Sequence, residues 1–98
     1  MCRIINSPAV LIVGGHPGWQ KQMRDKLPDV NIVPADMLGF DPNNLGEIKL
    51  VVFNTAYLTH SMYYKIINFV RRNKIKVCYM TGQNVEIGIA QMYRVLNE

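Results

Sequence analysis

The chain has 98 residues, 11 Lys+Arg against 7 Asp+Glu for a net charge of +4, and 49% hydrophobic content. That length fits one domain, read here as a single unit over residues 1–98 with a core of about 9–96, and leaves no room for a second. The hydrophobic share argues against a disordered chain. No stretch approaches the ~20 apolar residues of a membrane-spanning helix, and residues 1–7 lack the apolar run of a secretory signal. Cys2 and Cys78 give neither metal-ligand spacing nor a disulfide framework, so a reducing, cytoplasmic location is expected.

In chain order, Val10-Leu11-Ile12-Val13 reads as a strand buried on both faces, ended by Gly14-Gly15. Pro17–Leu27 reads as a helix, with Pro17 at its first position and Trp19, Met23 and Leu27 as its inward stripe. Val30–Val33 is a short second strand. Residues 35–47 are broken by Gly, Pro and Asn and predict loop, with one helical turn near Met37–Leu38 or Asn43–Leu45. Ile48–Phe53 is the third strand and the most central. Thr59 is a good N-cap for a helix running to about Asn73, with Met62, Ile66, Phe69 and Val70 inward and Lys65, Asn68, Arg71 and Arg72 toward water. Lys76–Met80 is the fourth strand, with Cys78 as a buried small hydrophobe. The last helix carries the stripe Val85, Ile89, Met92 and Leu96.

Strands alternating with helices through right-handed crossovers predict an α/β fold, a small three-layer Rossmann-like or flavodoxin-like domain. Its four-stranded parallel sheet would have the order 2-1-3-4. The switch point then falls between strands one and three, and ligands of open α/β sheets bind beyond the carboxyl ends of the strands at such a point.

Three loops meet at that end. Gly14-Gly15-His16 runs from a strand into a helix, where backbone N–H groups and the helix dipole favour an anion, although neither the dinucleotide nor the P-loop spacing is present. Asn54-Thr55 through Thr59-His60 leaves the third strand, and Thr81-Gly82-Gln83-Asn84 leaves the fourth. Asp36, just past strand two, stands where a ribose-binding acid could sit. Trp19 either stacks on a ligand ring or belongs to the helix–sheet core. Of the consecutive pair Tyr63 and Tyr64, one should be exposed, at an interface or at the pocket rim. His16 and His60 both fall at helix starts, where the neutral imidazole is favoured; ligand contact and simple capping remain open for both. Two histidines without a clear third ligand make a poor zinc site, and no metal or cofactor is expected. No G-x-S-x-G elbow and no acid oriented on either histidine supports catalysis.

Five cations lie in the stretch Lys65, Arg71, Arg72, Lys74 and Lys76, three of them where the helix should end and its dipole favours positive charge. No interleaved aromatics accompany them in the linear sequence, so nucleic acid is a secondary expectation. The apolar share in so small a domain predicts a homo-oligomer, a dimer in the first instance.

The ordered trio Val13-Gly14-Gly15-His16, Asn54-Thr55-Ala56-Tyr57-Leu58-Thr59-His60 and Thr81-Gly82-Gln83-Asn84 resembles a bacterial family of small Rossmann-like domains of unknown function. That family's strands lead into V-G-G-H and T-x-x-[ST]-H segments and then a short polar turn. Here Gly82-Gln83-Asn84 takes the place of the serine pair usual in that turn. The resemblance covers roughly residues 9–96 and implies a fold and a site, with no activity attached.

These readings converge on a non-catalytic binding module for a small anionic ligand, a nucleotide or phosphorylated metabolite first, serving as sensor, regulator or sequestering protein. Its expected ligand-binding residues are Gly14, Gly15, His16, Trp19, Asp36, Asn54, Thr55, Thr59, His60, Thr81, Gln83 and Asn84. The alternatives are a protein- or nucleic-acid-interaction domain using its loops and basic helix end, and a small hydrolase or metal enzyme built on His16 and His60.

Overall fold

The structure is a computed structural model that describes residues 8–35, 39–82 and 84–96. Strands β1 (Val10–Gly14), β2 (Asn31–Val33), β3 (Leu50–Asn54) and β4 (Lys76–Met80) form one parallel sheet in the order β2-β1-β3-β4. Helices α1 (Pro17–Lys26), α2 (His60–Asn73) and α3 (Val85–Leu96) supply the crossovers and the final layer. This is the expected three-layer α/β architecture and strand order, and it makes β1 and β3 the central pair. Every residue of both strands is buried, as continuous apolar runs require when helices cover both faces.

The pleat divides the core in two. Val10, Ile12, Leu50, Val52, Cys78 and Met80 face α1 and α3, where Trp19, Met23, Val85 and Met92 meet them. Leu11, Val13, Val51 and Phe53 face α2, whose Met62, Ile66, Phe69 and Val70 are all buried. The expected stripes on α1 and α2 are therefore the ones used. On α3, Val85 and Met92 are buried while Ile89 and Leu96 lie partly buried against the same cluster. Gly88 is buried as well, because α3 passes so close to β4 that a Cβ there would sit 3.0 Å from the Met80 sulfur.

Several boundaries differ from the sequence expectation: β1 runs on to Gly14, α1 ends at Lys26, and β2 and β3 differ for backbone reasons. Val30 is outside β2 because its N–H closes the turn after α1 on the Leu27 carbonyl, at 3.3 Å. Ile48 and Lys49 precede β3, since the Lys49 N–H turns to the Ala9 carbonyl, at 2.8 Å. At the other end β3 extends to Asn54, which pairs with Gly14. The broken segment forms a 3-10 helix at Pro42–Leu45, capped by Asp41 accepting from the Asn43 N–H at 3.0 Å; Met37 and Leu38 lie outside the described residues. Lys65, expected in water, is half-buried, as a long aliphatic stem allows. Among the described residues, no helix is long and apolar enough to cross a membrane.

α2 is the sole α-helix on its side of the sheet, and it sits over the buried β1–β3 pair. The outer part of β4 is left open on that side: Tyr79 is 50% exposed. The carboxyl end of β4, beside the start of α2, thus offers unfilled space.

Candidate functional site

The loops after β1 and β3 are tied together by backbone contact. Gly14 and Gly15 both have positive φ, +87° and +92°, a region that L side chains rarely adopt. The Gly15 N–H donates to the Tyr57 carbonyl at 2.9 Å. A Cβ on Gly14 would stand 2.8 Å from the Asn54 carbonyl oxygen, and one on Gly15 would run into the Trp19 ring. Gly14 is therefore required by the close approach of the two loops and Gly15 by the Trp19 ring packed beneath it, and the Gly15 N–H is spent on the loop contact. Gln20, buried on α1, reinforces it: its Nε2 donates to the Gly14 carbonyl at 2.8 Å and to the Val33 carbonyl at 2.9 Å.

Asn54 does the same on the other side. It is 1% exposed; its Nδ2 donates to the Gly82 carbonyl at 3.1 Å and its Oδ1 accepts from the Ala56 N–H at 3.1 Å. One side chain thus joins the β3–α2 loop to the β4–α3 loop. Trp19 is 3% exposed and belongs to the α1–sheet core, its Nε1 having no hydrogen-bond partner among the described residues.

His16 is the N-cap of α1. Its Nδ1 accepts from the Gly18 N–H at 3.1 Å, so Nδ1 bears no proton and the neutral ring carries its hydrogen on Nε2. The ring is exposed and meets Tyr57 edge-on, with centroids 5.9 Å apart. The capping alternative describes what His16 does here. Thr81 and Asn84 are exposed, and Asn84 caps the start of α3 by accepting from the Ile87 N–H at 3.0 Å. Asp36 and Gln83 lie outside the described residues.

Thr55, Thr59 and His60 come together. With Leu58, Tyr63 and Tyr79 they line a cavity of about 300 Å³ beyond the carboxyl ends of β3 and β4. The Thr55 hydroxyl donates to the Met80 carbonyl at 3.4 Å. The Thr59 hydroxyl donates to the Ala35 carbonyl at 3.0 Å and accepts from the Met62 N–H at 3.3 Å, which is the expected N-cap. Both threonines are thereby held as walls. The first N–H groups of α2, on His60 and Ser61, have no acceptor inside the helix, and the exposed His60 ring stands beside them.

Of the cavity's aromatic side the sequence offered one of Tyr63 and Tyr64, at an interface or at the pocket rim, and missed Tyr79; Tyr63 lines the cavity and Tyr64 is the exposed member of the pair. The register sets Phe53 beside Tyr79, and the two rings stack with centroids 5.6 Å apart and planes 22° apart. Tyr63 leans on Phe53 at 5.0 Å, and its hydroxyl lies 3.1 Å from that of Tyr79. The hydrogen bond to Tyr63 is the main cause holding the Tyr79 phenol above its ordinary pKa; partial burial and repulsion from Tyr63 add to it, and nearby Arg71 opposes them. The usable signal was the exposed alternate position of Tyr79 in an otherwise apolar edge strand.

A larger hollow, about 500 Å³, lies at the opposite end of the sheet between Asn43, Glu47, Ile48 and the end of α2. It faces the amino ends of the strands and the negative end of a helix, the wrong side for an anion. Among the described residues no cluster of three His, Cys, Asp or Glu could hold a metal ion. No protein-family model matches the chain, and no curated protein and no solved structure matches it.

Two outcomes follow from this geometry. Gly15→Ala should cost roughly 2 kcal/mol or more in urea denaturation, from a strained φ plus overpacking on Trp19; an unchanged midpoint would contradict the close approach. Tyr63→Phe removes the main cause of the raised Tyr79 pKa. The ultraviolet phenolate titration should then move Tyr79 downward, and no movement would refute the pairing.

Proposed function

We propose that this chain is a non-catalytic binding module for a small anionic ligand, a nucleotide or phosphorylated metabolite first, held in the cavity lined by Thr55, Thr59, His60, Tyr63 and Tyr79. The observation that carries the reading is the pairing, in one cavity, of the start of a 14-residue helix with an aromatic wall. The free N–H groups and positive dipole end of α2, with the His60 ring beside them, suit a phosphate. The flat face of Tyr79, backed by Phe53, suits a planar ring. Gly14, Gly15 and Asn54 support this site by fixing the loops, a role that replaces the direct anion cradle expected for the two glycines.

Membership in the bacterial family with V-G-G-H and T-x-x-[ST]-H motifs belongs to the same proposal and rests on the motifs alone. So do a homodimer, for which the support is the exposure of Tyr57, Ile87 and Tyr93, and a cytoplasmic location, which rests on the cysteine usage alone.

Calorimetric titration with a nucleoside 5′-monophosphate, the matching nucleoside and inorganic phosphate tests the reading. The monophosphate should bind more tightly than the nucleoside. His60→Ala should weaken it about tenfold, the scale of one hydrogen bond to a charged group, with little effect on the nucleoside. Equal binding of the two, no binding of either, or an unaltered affinity in His60→Ala would overturn it.

A further inference from the structure

The cations of α2 have Tyr64 beside them in the chain, and the fold brings Tyr79 of β4 to join it. Tyr64 and Arg71 are seven residues apart on α2, two helical turns and so the same face, separated by roughly 10 Å along the axis. Both are exposed, Tyr64 at 62%. Asn68 and Arg72, both exposed, border the same strip on its side away from β4. Across from it on β4 stands Tyr79, half exposed, stacked on Phe53 by one face and within electrostatic reach of Arg71. Tyr63 bridges the two exposed rings, packing edge-on against Tyr64 at 5.6 Å and bonding to the Tyr79 hydroxyl. Neither Arg71 nor Arg72 is paired with a carboxylate among the described residues. The protein's net charge of +4 adds to the local field.

From this surface we infer that the α2–β4 face binds single-stranded nucleic acid, with bases stacking on Tyr79 and Tyr64 and the backbone phosphates running along α2 to Arg71 and Arg72. Charge complementarity selects a polyanion. The two exposed rings select one whose bases are unpaired, because a duplex keeps its π-faces covered and offers nothing to stack on a tyrosine. An acidic peptide would satisfy the arginines and leave the rings idle. Arg71, Arg72 and Tyr64 do not line the His60 cavity, so the inference stands apart from the nucleotide reading, with Tyr79 as the shared residue.

The test is fluorescence anisotropy of a labelled 12-nucleotide oligouridine, alongside a duplex RNA and polyglutamate, at several salt concentrations. Oligouridine should bind more tightly than either control. Tyr79→Ala and Tyr64→Ala should each weaken it about tenfold, as loss of one stacked base does, and Tyr79→Phe, which keeps the ring, should restore it. Arg71→Gln with Arg72→Gln should lower the slope of log affinity against log salt by about 1.4, the amount for two single-strand phosphate contacts. Circular dichroism of each variant checks that it is folded. Equal affinity for all three polyanions, or binding indifferent to both tyrosines, would overturn the inference. So would binding abolished by His60→Ala and untouched by the arginine pair, which would mean that the oligonucleotide merely enters the cavity.

Discussion

The structure depends on the parallel pairing of β1 with β3 at the centre of the sheet. These strands are buried along their whole length, so their backbones are satisfied by their neighbours in the sheet and, at Gly14, by the Gln20 side chain. Their register sets Gly14 beside Asn54. The two chains must therefore leave the sheet side by side and turn away in opposite directions, one to α1 and the other to α2. Glycine at 14 and 15 is what allows them to pass: any Cβ would strike the Asn54 carbonyl or the Trp19 ring. Asn54 then carries the linkage on to β4 through Gly82. One buried pairing thus determines the positions of three loops.

That linkage separates supporting residues from contacting ones. Gly15, Gln20 and Asn54 use their polar groups within the scaffold. The Thr55 and Thr59 hydroxyl protons are committed as well. What remains facing the cavity is the first turn of α2, the His60 ring and the tyrosine pair. Binding sites held by such pre-satisfied walls lose little conformational entropy when they fill.

The sheet was legible in the sequence because short apolar runs, each followed closely by a turn-forming residue such as Gly14, Pro34, Asn54 or Gly82, have few other solutions. Strand order followed from the handedness of the crossovers. Helix stripes were equally readable: Trp19-Met23-Leu27 and Met62-Ile66-Phe69-Val70 are buried as their spacing requires. Boundaries at Val30, Ile48 and Asn54 were less so, since they turn on single backbone hydrogen bonds that no side chain announces. In the candidate site, Thr55, Thr59 and His60 were found by their place after a central strand. The roles of Gly14, Gly15 and His16 were harder to read, because a glycine turn that cradles an anion and one that admits a neighbouring loop look alike in one dimension. Tyr79 escaped for a related reason: it meets Tyr63, 16 residues away, because the β3–β4 register sets it beside Phe53 and α2 packs Tyr63 on that same ring.

The central claim is that the working end of this domain is the cavity between the β3–α2 loop, the start of α2 and the end of β4. Amide chemical-shift mapping in a ¹⁵N-labelled sample, titrated with a nucleoside monophosphate, tests it most directly. The account predicts that the perturbed amides cluster within residues 54–63 and at Tyr79 to Thr81, with those of Asn43 to Ile48 and Asn73 to Ile75 unmoved. Perturbations centred on that second group, at the amino end of the sheet, would contradict it.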